Sequence, residues 1–328
     1  MNVLVTGGGG FIGSHLVEDQ LKKGRTVKAL DLGFPFLNGT AENAKLQKIV
    51  GDIRNQDLVG QSLAGIDLVF HLASAHLSLT IPEQEYWDIN VQAAEQLARL
   101  SQIAGVKRFV HSSTVGIYGN MTQCPGDEES RYNPDLVYEK SKLAGEQAVL
   151  RASRESGYSV TIVRPVWVYG PRCPRTAKLF RAIRKGTFVM VGNGRTLRHC
   201  VYISDMVDGF DLCAASDAAI GRSFIIGDNS AVTVQELVDE IAAVMKASPP
   251  KFKIPAGIMA PACAIFEAGF KAIGKEPPLS QRSLKFFTNN TSFDISKAKT
   301  LLDFVPKVPL RDGLERTYEY LRQHGQLS

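Results

Sequence analysis

The sequence has few cysteines, few aromatic residues and no strong excess of one charge. Its 328 residues include five cysteines, an odd number without CxxC or CxxH spacing. This pattern predicts neither a disulfide framework nor a metal site, and it favours a reducing cytoplasm. The 38 basic and 33 acidic residues leave a net charge of +5, and the basic residues are scattered along the chain. We therefore expect no nucleic acid partner.

The sequence also lacks a hydrophobic run that could cross a membrane. Residues 1–6 lead directly into a strand-like stretch, without the basic region and cleavage site of a secretory signal. The most apolar segment, residues 254–273, is interrupted by Pro261, Glu267 and Lys271, whereas a spanning helix needs about 20 nearly uninterrupted apolar residues. We predict a helix that covers an apolar pocket, with a contact to a membrane surface as the alternative.

Buried-strand patterns alternate with helical patterns in the first half of the chain. The helical patterns cover residues 84–104 and 136–156, among others. Repeated βα units of this kind predict an α/β fold with a Rossmann-like, doubly wound and mostly parallel sheet. The predicted strands are 3–5, 26–30, 46–50, 67–72, 108–111 and 160–163.

Beyond residue 164 the pattern becomes irregular, which predicts a smaller C-terminal substrate lobe. Two later stretches, 201–203 and 224–227, are predicted strands that return to the sheet. The predicted division is a nucleotide-binding domain at 1–170 with returning segments at about 199–228, and a substrate lobe made of 171–198 and 229–328.

A glycine-rich loop follows the first predicted strand and opens the first predicted helix. Gly7, Gly10 and Gly13 stand at GxxGxxG spacing, and Phe11 and Ile12 lie between the last two. Glycines let the backbone turn tightly and approach a pyrophosphate, while the helix N-terminus presents free amide donors. The loop therefore predicts a dinucleotide site that includes all five residues.

Two aspartates near strand ends indicate which dinucleotide binds. Asp31 ends the second predicted strand, where its carboxylate can accept hydrogen bonds from both adenosine ribose hydroxyls and would repel a 2′-phosphate. NAD is therefore favoured over NADP. Asp52 can accept from the adenine amino group while Ile53 packs on the ring, although a simple turn explains this pair equally well.

A tyrosine and a lysine four residues apart predict acid–base chemistry. Tyr138 and Lys142 lie on one face of a predicted helix. A close ammonium group and a cationic nicotinamide would both favour the phenolate. Hydroxyl residues at 112–114 end the fifth predicted strand, where open α/β sheets bind ligands. An exposed helix pair and a strand-end cap are the structural alternatives.

Taken together, the motifs resemble the extended short-chain dehydrogenase/reductase family of the epimerase/dehydratase type, over nearly the whole chain. The resemblance implies an NAD-binding Rossmann-like domain and catalysis by Thr114, Tyr138 and Lys142. The motifs are TGGGGFIG (6–13), HLAS (71–74), SSTVGIYG (112–119), YEKSK (138–142), RPVWVYGP (164–171) and VYISDMVDG (201–209).

The same resemblance implies further contacts and an assembly. Leu72 and Ala73 would line the cofactor groove. Helices 84–104 and 136–156 would pair with those of a second copy in a homodimer. Family dehydratases carry Asp-Glu directly after the threonine, whereas this chain has Val115-Gly116, so elimination of water is not expected.

What remains is reversible oxidation of a secondary alcohol, by a 4-epimerase or as a net redox reaction. Arg198 falls where nucleotide-sugar enzymes of the family place an arginine on the diphosphate, which makes a UDP-sugar or another nucleotide sugar the leading substrate. Trp167 stands where those enzymes usually have Asn. The C-terminal stretch instead resembles 3β-hydroxysteroid dehydrogenases and dihydroflavonol reductases, so an apolar alcohol is the alternative. A non-catalytic NAD-binding protein is the second alternative.

Overall fold

The computed structural model describes residues 1–37, 43–76, 81–250, 252–272 and 280–327, so residue 273 of the predicted apolar segment lies outside it. Its central sheet has seven parallel strands in the order β3-β2-β1-β4-β5-β6-β11. The strands in chain order are β1 Asn2–Thr6, β2 Thr26–Asp31, β3 Leu46–Val50, β4 Leu68–His71, β5 Arg108–Ser112, β6 Val160–Pro165, β7 Trp167–Tyr169, β8 Met190–Val191, β9 Leu197–Arg198, β10 Cys200–Tyr202, β11 Ser223–Ile226, β12 Val232–Thr233 and β13 Lys253–Ile254.

Two hydrophobic cores lie on the two faces of this sheet. In β1, Val3 and Val5 belong to one core and Leu4 to the other, because successive strand residues face opposite sides. Both faces of the sheet are buried, which explains the continuous apolar runs of its strands. The predicted Rossmann-like, doubly wound sheet is confirmed.

Helices cover both faces of the sheet. Helix α1 packs on α7, whereas α4 packs on both α2 and α5. The helices are α1 Phe11–Lys22, α2 Gln56–Leu63, α3 Glu83–Trp87, α4 Ala94–Ile103, α5 Val137–Ser156, α6 Pro174–Arg184, α7 Ile203–Ala215, α8 Val234–Val244, α9 Ala256–Ala272, α10 Gln281–Thr288, α11 Ser296–Leu302 and α12 Leu310–Gln323.

The predicted helix at 84–104 contains an irregularity that its sequence did not indicate. Between α3 and α4 the chain forms a π-helical segment, Asp88–Ala93. Such segments are rare and are often found at functional sites. The predicted helix at 136–156 is regular and corresponds to α5.

One of the two strands predicted to return to the sheet does so. Strand β11 pairs with β6 and completes the central sheet. The prediction for residues 201–203 was wrong, because β10 pairs with β7 in a separate two-stranded sheet. Since β11 already occupies the edge of the sheet beside β6, that edge is not open to β10.

The apolar segment forms α9, which packs on α10. Cys263 is buried, whereas Ile258 and Ile265 are exposed. Within the described ranges, no helix combines the length and the apolar character that crossing a bilayer requires.

Candidate active site

The glycine-rich loop packs against the segment that follows β4. Gly7 has a φ of +71°, and a Cβ on it would lie 2.7 Å from the Ala73 nitrogen. A Cβ on Gly13 would lie 2.0 Å from the Gly7 carbonyl oxygen. Only glycine fits these contacts. The structure thus brings the loop together with Leu72 and Ala73, and their place in a cofactor groove stays a prediction.

The first turn of α1 is suited to bind an anion. Gly10 is the N-cap, and the described residues supply neither a side-chain cap nor an acidic side chain in the first turn. The amide groups of Phe11 and Ile12 therefore keep donors that the helix itself does not use. A pyrophosphate of a dinucleotide fits this turn, because both the donors and the helix dipole favour negative charge.

Asp31 is oriented by main-chain groups beside that loop. Its carboxylate accepts hydrogen bonds from the amides of Gly9 at 2.9 Å and Leu32 at 2.7 Å. Each carboxylate oxygen retains a further acceptor position. The group can therefore still accept hydrogen bonds from ribose hydroxyls.

Asp52 has a partner within the chain. Arg54 donates to it through Nε at 3.0 Å and through Nη2 at 2.6 Å, which lowers the pKa of the Asp52 carboxyl. The Ile53 side chain is buried in the core. An adenine amino group would therefore share the Asp52 carboxylate with Arg54, and the role predicted for this pair stays a prediction.

The three predicted catalytic residues meet where β5 approaches α5. The Thr114 hydroxyl accepts from the Gly116 amide at 3.0 Å and lies close enough to the Tyr138 phenol to lower its pKa. Lys142 is buried, and its Nζ donates to the Ser112 carbonyl oxygen at 2.6 Å. The threonine thus caps the short 3-10 turn that follows β5 and lies beside the tyrosine.

Burial controls the protonation of the tyrosine and the lysine. It raises the pKa of Tyr138 to about 12, against the opposing effects of Arg175 and Thr114. It also lowers the pKa of Lys142 to about 8, which Glu146 partly offsets. From the sequence, a neighbouring ammonium group was expected to favour the phenolate. In the structure that ammonium group donates to Ser112, and burial moves the pKa of the phenol further above neutral pH.

A buried ion pair fixes α5 against the sheet. The guanidinium of Arg164 on β6 bonds both oxygens of Glu146, which lies one turn after Lys142. The same guanidinium also donates to the Tyr118 hydroxyl and, at 2.8 Å, to the Tyr132 hydroxyl. This network positions the helix that carries Tyr138 and Lys142.

Asn90 in the π-helical segment forms a second link that sequence reasoning missed. Its Oδ1 accepts from the Ser74 hydroxyl and the Ala75 amide, both at 2.9 Å. Its Nδ2 donates to the Ala75 carbonyl oxygen at 3.1 Å and to the Ser141 hydroxyl at 2.9 Å. Asn90 thereby joins the segment after β4 to α5. His76 was not predicted from the sequence either. Its ring lies edge-on to the Tyr138 ring, with the two centroids 5.1 Å apart.

Arg198 is a buried cation at the C-terminal end of α10. Its Nε donates to the Phe286 carbonyl oxygen at 2.9 Å, and Nη2 donates to the carbonyl oxygens of Lys285 and Phe286 at 2.6 Å. Nη1 donates to the Thr291 hydroxyl at 3.2 Å. Only 9% of the residue is exposed, and burial lowers its pKa to about 10. Within the described residues, no carboxylate forms an ion pair with it.

Aromatic side chains surround this cation. The Arg198 guanidinium lies over the Phe286 ring, 4.9 Å from its centroid. The Trp167 ring contacts the same Phe286 and stacks on Tyr169. Aromatic rings therefore surround the Arg198 guanidinium, whereas polar side chains would be expected to line a diphosphate site.

The chain is similar to known proteins in both sequence and fold. The model of the NAD dependent epimerase/dehydratase family matches residues 3–227. The chain is 27% identical to a 3beta-hydroxysteroid-dehydrogenase/decarboxylase of Arabidopsis thaliana, covering 98% of this chain and 81% of that protein. It is 29% identical to an N-acetyl-alpha-D-glucosaminyl-diphospho-ditrans,octacis-undecaprenol 4-epimerase of Escherichia coli O157:H7, covering 99% and 96%. Its fold is similar to that of a UDP-glucuronic acid 4-epimerase from Bacillus cereus solved with NAD, with a TM-score of 0.81, 26% identity and 99% of each chain covered.

Proposed function

Because the chain belongs to the NAD-dependent epimerase/dehydratase family, we propose that it catalyses reversible hydride transfer at a secondary alcohol of a nucleotide sugar, as a 4-epimerase or a dehydrogenase. NAD is the cofactor, and when bound it supplies the hydride acceptor. The observation that carries the substrate assignment is the buried, carboxylate-free guanidinium of Arg198. A buried cation without a counter-ion is costly, and a diphosphate would supply the missing charge.

The chain's own residues would handle the proton. In our proposal Tyr138 acts as the phenolate in oxidation, where its oxygen accepts the proton of the substrate hydroxyl, and as the phenol in reduction, where it returns that proton. The Thr114 hydroxyl, which lies beside Tyr138, bonds the same substrate oxygen. Lys142 orients the ribose of the cofactor and, when charged, stabilises negative charge near the phenol.

The cofactor contacts follow from the loop geometry. We assign the pyrophosphate to the Gly7–Gly13 turn with Phe11 and Ile12, and the adenosine ribose to Asp31. Leu72 and Ala73 would line the groove between β1 and β4, which is the switch point where open α/β sheets bind ligands.

Elimination of water does not belong to the proposed reaction. Val115 is buried in the core and Gly116 has no side chain, so neither can transfer a proton. Glu139 lies close to Gly116, but its carboxylate accepts from the amides of Asp135 and Leu136 at the start of α5. A 4,6-dehydratase would need an acid and a base at these positions.

An apolar alcohol is the second candidate substrate. The aromatic surroundings of Arg198, formed by Trp167 and Phe286, favour it. The similarity to the Arabidopsis hydroxysteroid dehydrogenase also favours it. In this case Arg198 would serve chiefly to join β9 to α10, and its loss would cost little substrate affinity.

Calorimetry with nucleoside diphosphates separates these candidates. UDP, GDP and dTDP are titrated into the NAD-loaded protein and into the variant Arg198→Met, whose side chain keeps the apolar stem. A charge-assisted hydrogen bond contributes about 1.5–3 kcal/mol, so the variant should bind roughly ten-fold to more than a hundred-fold more weakly. Arg195→Met, at an exposed arginine just before β9, is the matched control and should bind normally. Wild-type protein that binds none of the three diphosphates at millimolar concentration would contradict the nucleotide-sugar assignment.

We also propose the domain division and the assembly expected from the sequence. Residues 1–170 with the returning segments at about 199–228 would bind NAD, and 171–198 with 229–328 would bind the substrate. A homodimer would form through residues 84–104 and 136–156, which pack side by side within the chain. The five free cysteines fit a reducing cytoplasm, where we place the protein.

A further inference from the structure

Helix α9 turns apolar side chains to the solvent. Ile258 is 63% exposed, Ile265 is 74% exposed and Phe266 is 44% exposed, whereas Cys263 is buried. A surface helix of a globular protein normally has the opposite arrangement, with polar residues facing the water. The sequence contains no charged residue from 254 to 266. Two turns separate Ile258 from Ile265, so both lie on the same side of the helix.

The residues leading into α9 extend this surface. Phe252 is 73% exposed and precedes the helix by four residues. Together, Phe252, Ile258, Ile265 and Phe266 form what we call the apolar face. An exposed cluster of large apolar side chains commonly marks an interaction site.

Basic residues lie in the chain segments that lead into β8 and β13, at the Phe252 end of the apolar face. The Met190 amide donates to the Phe252 carbonyl oxygen at 3.1 Å, and β8 runs parallel to β13. The chain therefore enters both strands at the same end of the pair. Exposed cations, which we call the basic margin, occupy these entries, whereas Asp and Glu are absent from 184–189 and 245–254. The basic margin consists of Arg184, Lys185, Lys246 and Lys253.

We propose that the apolar face docks on an anionic phospholipid surface, with α9 lying in the plane of the membrane. Large apolar side chains would enter the boundary between headgroups and acyl chains, and the basic margin would contact lipid phosphates. A second copy fits less well, because its own residues 254–266 carry no charge and would offer the basic margin no carboxylate in a symmetric contact. The proposal does not depend on which alcohol the enzyme oxidises.

Sedimentation with vesicles tests the proposal. The full-length protein is mixed with vesicles of phosphatidylcholine plus phosphatidylglycerol, and separately with vesicles of phosphatidylcholine alone. Binding should be strong only with the anionic lipid and should weaken as salt is added. In the variant Phe252→Trp, the emission of the new indole should shift to shorter wavelength on anionic vesicles.

Matched variants identify the surface involved. Ile258→Glu with Ile265→Glu, and separately Lys185→Gln with Lys253→Gln, should each weaken binding to anionic vesicles by roughly ten-fold or more. Val305→Asp, at another exposed apolar residue, and Lys22→Gln with Lys299→Gln, at other exposed lysines, should bind like the wild type. Thermal unfolding confirms that the variants are folded.

Three results would overturn the proposal. One is a wild-type protein that does not sediment with anionic vesicles. Another is equal loss of binding in the test and control variants. The third is an Ile265→Glu variant whose oligomeric state, measured without vesicles, differs from that of the wild type, which would assign the face to a contact between copies of the chain.

Discussion

Gly145 of α5 approaches the main-chain carbonyl of Asn90 so closely that a Cβ on Gly145 would lie 1.9 Å from the carbonyl oxygen. This contact sets the distance between α5 and the π-helical segment. Since α5 carries Tyr138 and Lys142, the position of α5 also determines how far these two side chains lie from Thr114.

The variant Gly145→Ala should therefore destabilise the protein and disturb the site. Overpacking a tight contact costs about 1–3 kcal/mol, and the clash here is with backbone, which cannot rotate away. Gly60→Ala is the control, because Gly60 is an exposed residue of α2 with open space around its Cβ position. It should stabilise the protein by about 0.5–1 kcal/mol. Urea unfolding measures both, and an equally stable Gly145→Ala would show that the contact can relax.

Removing the Tyr138 hydroxyl should abolish most of the activity. Tyr138→Phe is expected to lower turnover by roughly two to four orders of magnitude, the usual size of an acid–base contribution, while NADH binding stays nearly unchanged. Because the phenol has a raised pKa, alcohol oxidation by the wild type should increase with pH. Tyr320→Phe, at a half-buried tyrosine of α12, is the control. Comparable turnover in Tyr138→Phe would exclude the tyrosine from the mechanism.

Asp31 should determine whether the protein binds NADH or NADPH more tightly. The wild type is expected to bind NADH more tightly than NADPH, since the carboxylate repels a 2′-phosphate. Asp31→Ala should narrow that preference, whereas Asp57→Ala on α2 should leave it unchanged. Titrations followed by nicotinamide fluorescence measure all three proteins. Equal or tighter binding of NADPH by the wild type would show that Asp31 does not contact the ribose.

Two buried histidines should make the protein sensitive to acid. Burial lowers the pKa of His71 to about 3 and that of His111 well below its usual value. Both stay neutral in the folded state while the unfolded state takes up protons below about pH 6.5. The stability they provide is therefore complete above that pH and is lost as the pH falls. Each group contributes a slope of about 1.4 kcal/mol per pH unit.

The variant His111→Phe tests this account. The described residues offer neither ring nitrogen of His111 a hydrogen-bond partner, so the substitution removes no hydrogen bond. Its free energy of unfolding should fall less steeply between pH 6.5 and pH 4 than that of the wild type. His324→Gln, at an exposed residue, should leave the slope unchanged. An unaltered slope in His111→Phe would mean that other groups cause the acid sensitivity.

The sequence predicted the features that depend on residues close together in the chain. The glycine loop, α1 and the Tyr138–Lys142 pair are of this kind, because a strand, a turn and a helix each leave a periodic pattern. The doubly wound, parallel sheet followed from the βα alternation. The sequence alone therefore indicated both the family and the fold.

Features that depend on residues far apart in the chain leave no periodic pattern in the sequence. Asn90 is an ordinary helix residue in the sequence, and its contacts with Ala75 and Ser141 arise only when two segments pack together. The pairing of β10 with β7 was missed because an apolar stretch does not specify which edge it joins. Likewise, the spacing around Arg198 could not show that its guanidinium already bonds the end of α10.

Strand β11 has a consequence for any attempt to divide the protein. It is the outermost strand of the central sheet, yet in the chain it follows residues 171–198, which we proposed as part of the substrate lobe. A fragment ending near residue 198 would leave the fully buried strand β6 as an open edge with unpaired main-chain groups. Open, flat and apolar edges recruit strands from other molecules. Residues 1–198 are thus not expected to fold by themselves, and fragments cut before Ser223 should aggregate instead of remaining soluble.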